Sequence, residues 1–138
     1  MAEGDVLYVD VVAADRTVWE GEAISVIART TEGDIGILAN HEPILALLVP
    51  CAAEILTVGG EREVIAIDGG FISVAENRVA VLSQYGRLAH QISLAEAERE
   101  FLRAEKKLNE GDQSDATRQH HARAAAQIAA AKKAQPAD

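Results

Sequence analysis

A histidine beside a carboxylate is a minimal proton-transfer pair at neutral pH, and this chain carries one at His41-Glu42. The pair sits in "EGDIGILANHEP", residues 32–43, among Glu32, Asp34, Gly33 and Gly36, and the stretch reads as an active-site loop. A general acid–base site needs the histidine, a partner carboxylate and a pocket around them. No nucleophile motif accompanies the triplet: the sequence has no G-x-S-x-G, no H-E-x-x-H and no paired cysteines. Pro43 drives Glu42 toward an extended backbone, so "NHEP" is also a plain loop signal. A hydrolase centred on His41 is the least favoured of three readings.

Other chemistry is thinly represented. The G-x-x-x-x-G-K-[ST] phosphate loop is absent, and "DGGFIS" has adjacent glycines without the spacing or the lysine, so a tight turn is expected at Gly69-Gly70. His120 and His121 are neighbours on a helix, about 100° apart, which is not the i, i+4 metal pair; a solvated or seam position is expected. His90 reads as interface packing. The single cysteine, Cys51, cannot form an internal disulfide, sits in "LLVPCAAEIL" and reads as a small buried hydrophobe in a reducing compartment. No catalytic residue, metal or cofactor is expected.

Composition narrows the partners. The 138 residues are 49% hydrophobic, enough for a packed core, and only 4% aromatic, which argues against a base-stacking surface. The net charge of −9 is a poor match for nucleic acid. That charge lies in one half: residues 1–90 hold five arginines, no lysine and fourteen acids, while residues 91–138 hold eight of each sign. An acidic body prefers basic or polar partners. "MAEGDVLYVD" has no basic n-region and does not read as a signal peptide. The longest apolar run, Ile44 to Ala53, falls short of the ~20 residues that cross a bilayer, so direct membrane insertion is not expected.

The elements that must position these residues come in two kinds. Residues 1–90 alternate in short strands: "VLYVDVV", "TVWEGEAISVIAR", "AEILTV", "REVIAI", "GFISVAE" and "RVAVLSQ". Turns are expected at Asp15-Arg16, Gly21-Glu22, Gly33-Asp34, Gly59-Gly60, Asp68-Gly69-Gly70 and Glu76-Asn77. This spacing predicts an antiparallel β-sandwich or barrel. From Ser93 the period changes. Ser93 and Glu96 form a capping box, and Leu94, Ala97, Phe101, Ala104 and Leu108 make a seam, ending near Gly111. Ser114 or Asp115 caps a second, alanine-rich helix with seam positions Thr117, His121, Ala124, Ile128 and Ala131, closed by Pro136. The fold class is mixed β plus α, a sandwich domain over 1–90 followed by a two-helix antiparallel hairpin over 91–138. Leu94, Phe101, Leu108 and Ile128 are the seam's only large apolar side chains, so the hairpin must dock on the sandwich or a partner, and that docking could be reversible.

Three ordered pieces carry a family resemblance over nearly the whole chain: "VVAADRTVWEGEAISVIARTTEGDIGILANHEPILALL", "IAIDGGFISVAENRVAVLSQ" and the helical tail. The chain resembles the epsilon subunit of the F-type ATP synthase, bacterial and chloroplast form. The resemblance implies a non-catalytic subunit of the central stalk. Such a subunit binds the gamma subunit, rests on the membrane c-ring and turns with it as protons flow. It sits as a peripheral protein at the cytoplasmic face of the bacterial plasma membrane. Its extended hairpin reaches toward the alpha and beta subunits and restrains ATP hydrolysis. By position, Glu32, Gly33 and Asp34 are expected at the c-ring, His41 at the gamma interface, and the glycines 36, 69 and 70 at turns.

Two departures qualify the likeness. Relatives usually have proline where this chain has Ala39, which leaves the loop less rigid. Relatives that bind ATP begin the tail with I-D-x-x-R-A; here "ISLAEA" puts Ser93 and Glu96 at the Asp and Arg positions. A carboxylate there repels a polyphosphate, so weak or absent ATP binding is expected, with Arg118 and Arg123 as residual contacts. A nucleotide sensor acting through the tail is the alternative reading.

Overall fold

Alternating Val and Ile strands joined by tight turns can bury one face by curling the sheet onto itself, and residues 7–88 do so. The computed structural model describes residues 4–135; Pro136, expected to close the last helix, lies outside them. The strands are β1 (Leu7–Ala13), β2 (Arg16–Thr30), β3 (Gly33–Leu38), β4 (Ile44–Thr57), β5 (Arg62–Ala75), β6 (Arg78–Leu82) and β7 (Gly86–Leu88). Pairing runs β1-β6-β5-β4-β2 and returns to β1, which closes a flattened sandwich. β3 adds to the second half of β2, and β7 to the first half of β5. All ladders are antiparallel except β1–β6, which is parallel. Side-chain alternation carries no information about strand direction, so this pair was not legible in the pattern. Leu7, Ile37, Ile55, Ile65, Ile67 and Ile72 fill the interior with almost no exposure.

Closure with so few strands needs long, bent ones. β2, β4 and β5 span 15, 14 and 14 residues. The two strands expected at "REVIAI" and "GFISVAE" are the halves of β5, and "AEILTV" contributes the end of β4. Gly69 and Gly70 therefore sit at a kink inside β5, with φ of 111° and 113°, where a tight turn was expected. Gly21 lies inside β2 and Gly36 inside β3, likewise not at turns. At Gly21 a Cβ would stand 3.0 Å from the Trp19 ring, so the glycine makes room for the indole. Gly59-Gly60 and Glu76-Asn77 are at turns as expected, the first turn falls at Ala14-Asp15, and the turn expected at Gly33-Asp34 falls at Thr31-Glu32, with Gly33 and Asp34 opening β3. Glu76-Asn77, with φ of 52° and 63°, is the left-handed turn whose twist matches its flanking strands.

A single 3-10 turn (Ala89–Gln91) leads to helices α1 (Leu94–Asn109) and α2 (Asp115–Lys133). Ser93 Oγ accepts from the Glu96 N–H at 3.2 Å, and Ser114 Oγ from the Thr117 N–H at 3.3 Å, the caps expected from the sequence. Between them Gly111 takes φ of 98°. In the seam Phe101 stacks on His121 with ring centroids 4.4 Å apart, flanked by buried Ala97, Ala104, Ala124 and Ala131. The hairpin docks on the sandwich through α2. Ala126 and Ala130, one turn apart, close a small cluster with Ala52, Val64, Ala66 and Ala89.

The interhelical turn is organised around a carboxylate, Asp112. Asp112 accepts from the Ser114 N–H at 2.9 Å and from Thr117 Oγ1 at 2.7 Å. These bonds, led by the backbone N–H, hold its carboxyl down to about 2 from an ordinary 3.8. A depressed carboxylate contributes stability that is present above pH 4 and is lost as pH falls through 2. Protection factors of the amides at residues 110–118, taken relative to the intrinsic exchange rate at each pH, are expected to fall over that window, and Asp112→Asn should flatten the dependence.

Candidate partner interface

The stretch that resembled an active-site loop is largely strand. Residues 33–38 are β3, so the acids and the histidine stand at its opposite ends, roughly 17 Å apart along the strand. At the first end Thr30 Oγ1 donates to the Gly33 carbonyl at 2.8 Å and accepts the Glu32 N–H at 3.1 Å, which shapes the turn that presents Glu32. Glu32, Gly33 and Asp34 are exposed. Asp34 faces Arg29 across the β2–β3 ladder and accepts from its Nε at 2.7 Å. That hydrogen bond, and then the charge, hold the Asp34 carboxyl below its ordinary value. Of the acidic pair, Glu32 is the one whose carboxylate has no partner in the described residues.

At the other end the chain turns through Asn40, which takes φ of 67°. Its amide Nδ2 donates to Asp5 at 2.8 Å, and Asn77 Nδ2 donates to Asn40 Oδ1 at 3.3 Å, which ties this corner to the β5–β6 turn. His41 is half-buried, and its Nδ1 lies 2.7 Å from the Glu42 carbonyl oxygen. A carbonyl cannot donate, so that nitrogen carries the proton and donates. His41 is thus bonded to Glu42's backbone rather than to its carboxylate, and no acid–base pair forms.

The more informative surface lies just beyond Pro43. Leu47 on β4 is opposite Phe71 on β5, Phe71 is opposite Leu82 on β6, and Leu82 is opposite Val12 on β1. Directly paired residues project to the same face, so these side chains form one row across four strands. Leu45, two residues before Leu47, extends it. Leu45, Leu47, Phe71 and Leu82 are 73%, 52%, 48% and 50% exposed. A contiguous row of large exposed apolar side chains is a candidate docking surface. The sequence pattern conceals it, because the inward partners Ile44, Ala46 and Leu48 are apolar too and the two-residue alternation that marks faces disappears.

Arg118 and Arg123 are not brought together. Arg118 Nη2 donates to Gln113 at 2.9 Å on the exposed side of α2. Arg123 turns inward, donating from Nη2 at 2.7 Å and from Nε at 3.2 Å to one oxygen of Asp68, whose side chain is 2% exposed. An open groove of about 560 Å³ runs beside α2 where β2 and β4 splay apart, with Arg29, Pro50, Cys51, Glu54 and Lys133 on its walls. Cys51 is half-buried, and burial pushes its thiol up. Among the described residues no group of three or more His, Cys, Asp or Glu could hold a metal ion. Among the same residues no helix is long and apolar enough to cross a membrane.

These features fit a protein that binds proteins, and comparison with known sequences says which kind. The family described as "ATP synthase, Delta/Epsilon chain, beta-sandwich domain" matches residues 6–86. The chain belongs to the ATP synthase epsilon chain family. The ATP synthase epsilon chain of Cutibacterium acnes is 48% identical over 135 residues, covering 91% of this chain and 92% of that one. The epsilon chain of Streptomyces avermitilis is 49% identical over 98 residues, 71% of this chain and 79% of that one. A chain in the cryo-EM structure of the Euglena gracilis mitochondrial ATP synthase, containing OSCP, F1 and the c-ring, superposes with a TM-score of 0.73 at 22% identity. It covers 97% of this chain and 85% of that one, a likeness of fold. Epsilon chains are non-catalytic subunits, so the pairing of His41 with a backbone carbonyl and the exposed apolar row need no reaction to explain them.

Proposed function

We propose that this epsilon chain is a rotor piece of the central stalk, seating the gamma subunit on the c-ring and turning with both while protons drive ATP synthesis. The observation that carries the reading is the exposed apolar row Leu45, Leu47, Phe71 and Leu82, brought together across neighbouring strands. The gamma subunit covers this row, with His41 at its margin. Glu32, Gly33 and Asp34 project from the opposite end of β3 and meet the polar loops of the c-ring. Glu32 supplies the free charge there, since Arg29 already neutralises Asp34. The complex sits at the cytoplasmic face of the plasma membrane, and the subunit reaches the bilayer only through its partners.

The hairpin is the regulatory part of the proposal. In its docked position it lies on the sandwich; released, it reaches toward the alpha and beta subunits and restrains hydrolysis. A residual nucleotide contact at Arg118 and Arg123 would require Arg123 to leave Asp68. Removal of residues 91–138 tests both halves of the reading. The truncated chain is expected to co-purify with gamma and the c-ring and to raise ATP hydrolysis by the complex severalfold. Loss of assembly would make the hairpin structural, and unchanged hydrolysis would remove the inhibitory role.

A further inference from the structure

The apolar contact between α2 and the sandwich is made mostly of alanine methyls, Ala126 and Ala130 against Ala52, Val64 and Ala66. Such a surface buries little area per residue, and the larger side chains packed against it, Tyr85 and Ile92, are only partly buried. A polar stripe runs beside it. Gln119, Arg123 and Gln127 stand at i, i+4 and i+8 on one face of α2. Gln119 Nε2 donates to Asp68 Oδ2 at 3.3 Å, Arg123 donates twice to the same oxygen, and Gln127 Nε2 donates to the Tyr85 hydroxyl. The Arg123 guanidinium also lies over the Tyr85 ring, 4.7 Å from its centroid.

The two oxygens of Asp68 have different partners. Oδ1 accepts from Ser83 Oγ at 3.0 Å and from the Tyr85 N–H at 3.1 Å, both within the sandwich. Oδ2 is given entirely to α2. We propose that Asp68 is a two-sided latch: one carboxylate oxygen belongs to the sandwich, and the other holds the hairpin in its docked position through Arg123 and Gln119. The inference deepens the reading above and rests on it for its consequence, since a latch matters to the complex only if the hairpin leaves the sandwich. A carboxylate with an arginine and three further donors gathered on it is stronger than any contact in the alanine cluster, and charge-assisted bonds are directional. The latch therefore strengthens docking and fixes its register along the first part of α2, while at the helix end Lys133 Nζ donates to Glu54 and the Lys133 carbonyl accepts from Arg62.

The division of the oxygens supplies the test. Asp68→Asn keeps an acceptor at Oδ1 for Ser83 and Tyr85 and puts an amide N–H₂, which cannot accept, where Oδ2 was. Arg123→Gln removes the charged donor from the helix side, together with its contact over the Tyr85 ring, and leaves every sandwich side chain in place. In the isolated full-length chain, amide exchange of residues 94–133 is expected to speed up about tenfold in both variants, and by no more than that in the double variant, with residues 62–82 unchanged. Unchanged hairpin exchange in Arg123→Gln overturns the latch, whatever Asp68→Asn does. Equal acceleration of sandwich and hairpin in Arg123→Gln also overturns it, because the contact would then support the whole fold. The regulatory reading is measured separately, by hydrolysis in the assembled complex. A looser hairpin with unchanged hydrolysis keeps the latch and removes the inhibitory role. Unchanged exchange with hydrolysis still raised by truncation does the reverse.

Discussion

Gly70→Ala is expected to destabilise the chain by about 3 kcal/mol or more and to lower its melting temperature by roughly 10 °C, read by circular dichroism. Two costs add at this position. The backbone takes φ of 113°, a region that L side chains rarely enter, and an added Cβ would stand 2.0 Å from the Leu82 carbonyl oxygen. The opposing atom is backbone in the β6 ladder, so it cannot swing aside as a side chain could. A loss of this size is a large part of the ~5–15 kcal/mol that holds an ordinary domain. Gly36→Ala is the control. It lies on the outer strand β3, where an added Cβ would meet nothing within 4 Å, and should change stability by less than about 1 kcal/mol in either direction.

Phe71→Asp is expected to separate folding from assembly. Phe71 is half exposed in the free chain, so the variant should fold and melt near the parent. In the complex its ring would be buried at the centre of the row between Leu47 and Leu82. Losing an aromatic anchor and desolvating a carboxylate there should cost about 2–4 kcal/mol of affinity for gamma, a loss of roughly thirty- to a thousandfold, measured by titration with the purified partner. Glu32→Gln, at the far end of β3, should leave gamma affinity unchanged.

What the sequence made legible was local. The Ser93 and Ser114 caps bond to N–H groups three residues away, so residue type and spacing contain the whole interaction. The seam through Phe101 and His121 was legible for a similar reason, a 3-4 repeat within each of the two helices. The glycines misled because a kink inside a long strand and a turn between two short ones both call for the same residue; Gly70's constraint comes from Leu82, a neighbour only after pairing. β3 was hidden by its two glycines and its single acid, Asp34, since its partner strand decides that it pairs at all.

The docking face of α2 was illegible in principle. Alanine surrounds the helix on every side, so no periodicity picks out Ala126 and Ala130 as inward. Arg123 looked like a free cation because the carboxylate that takes it lies 55 residues earlier. The family was legible as an ordered set of motifs, but the apolar row that best supports gamma docking needed the strand register, which places Leu47, Phe71 and Leu82 side by side.

Everything proposed for assembly turns on this row being the seat of the gamma subunit. Hydroxyl-radical footprinting of Leu45, Leu47, Phe71 and Leu82, free and with purified gamma, reports on that seat without a mutation, because radicals oxidise side chains in proportion to their exposure. Oxidation of all four is expected to fall severalfold on binding, while Leu102, 63% exposed on α1, is oxidised as before. Stable binding with the four side chains still oxidised at the free rate would contradict the assignment.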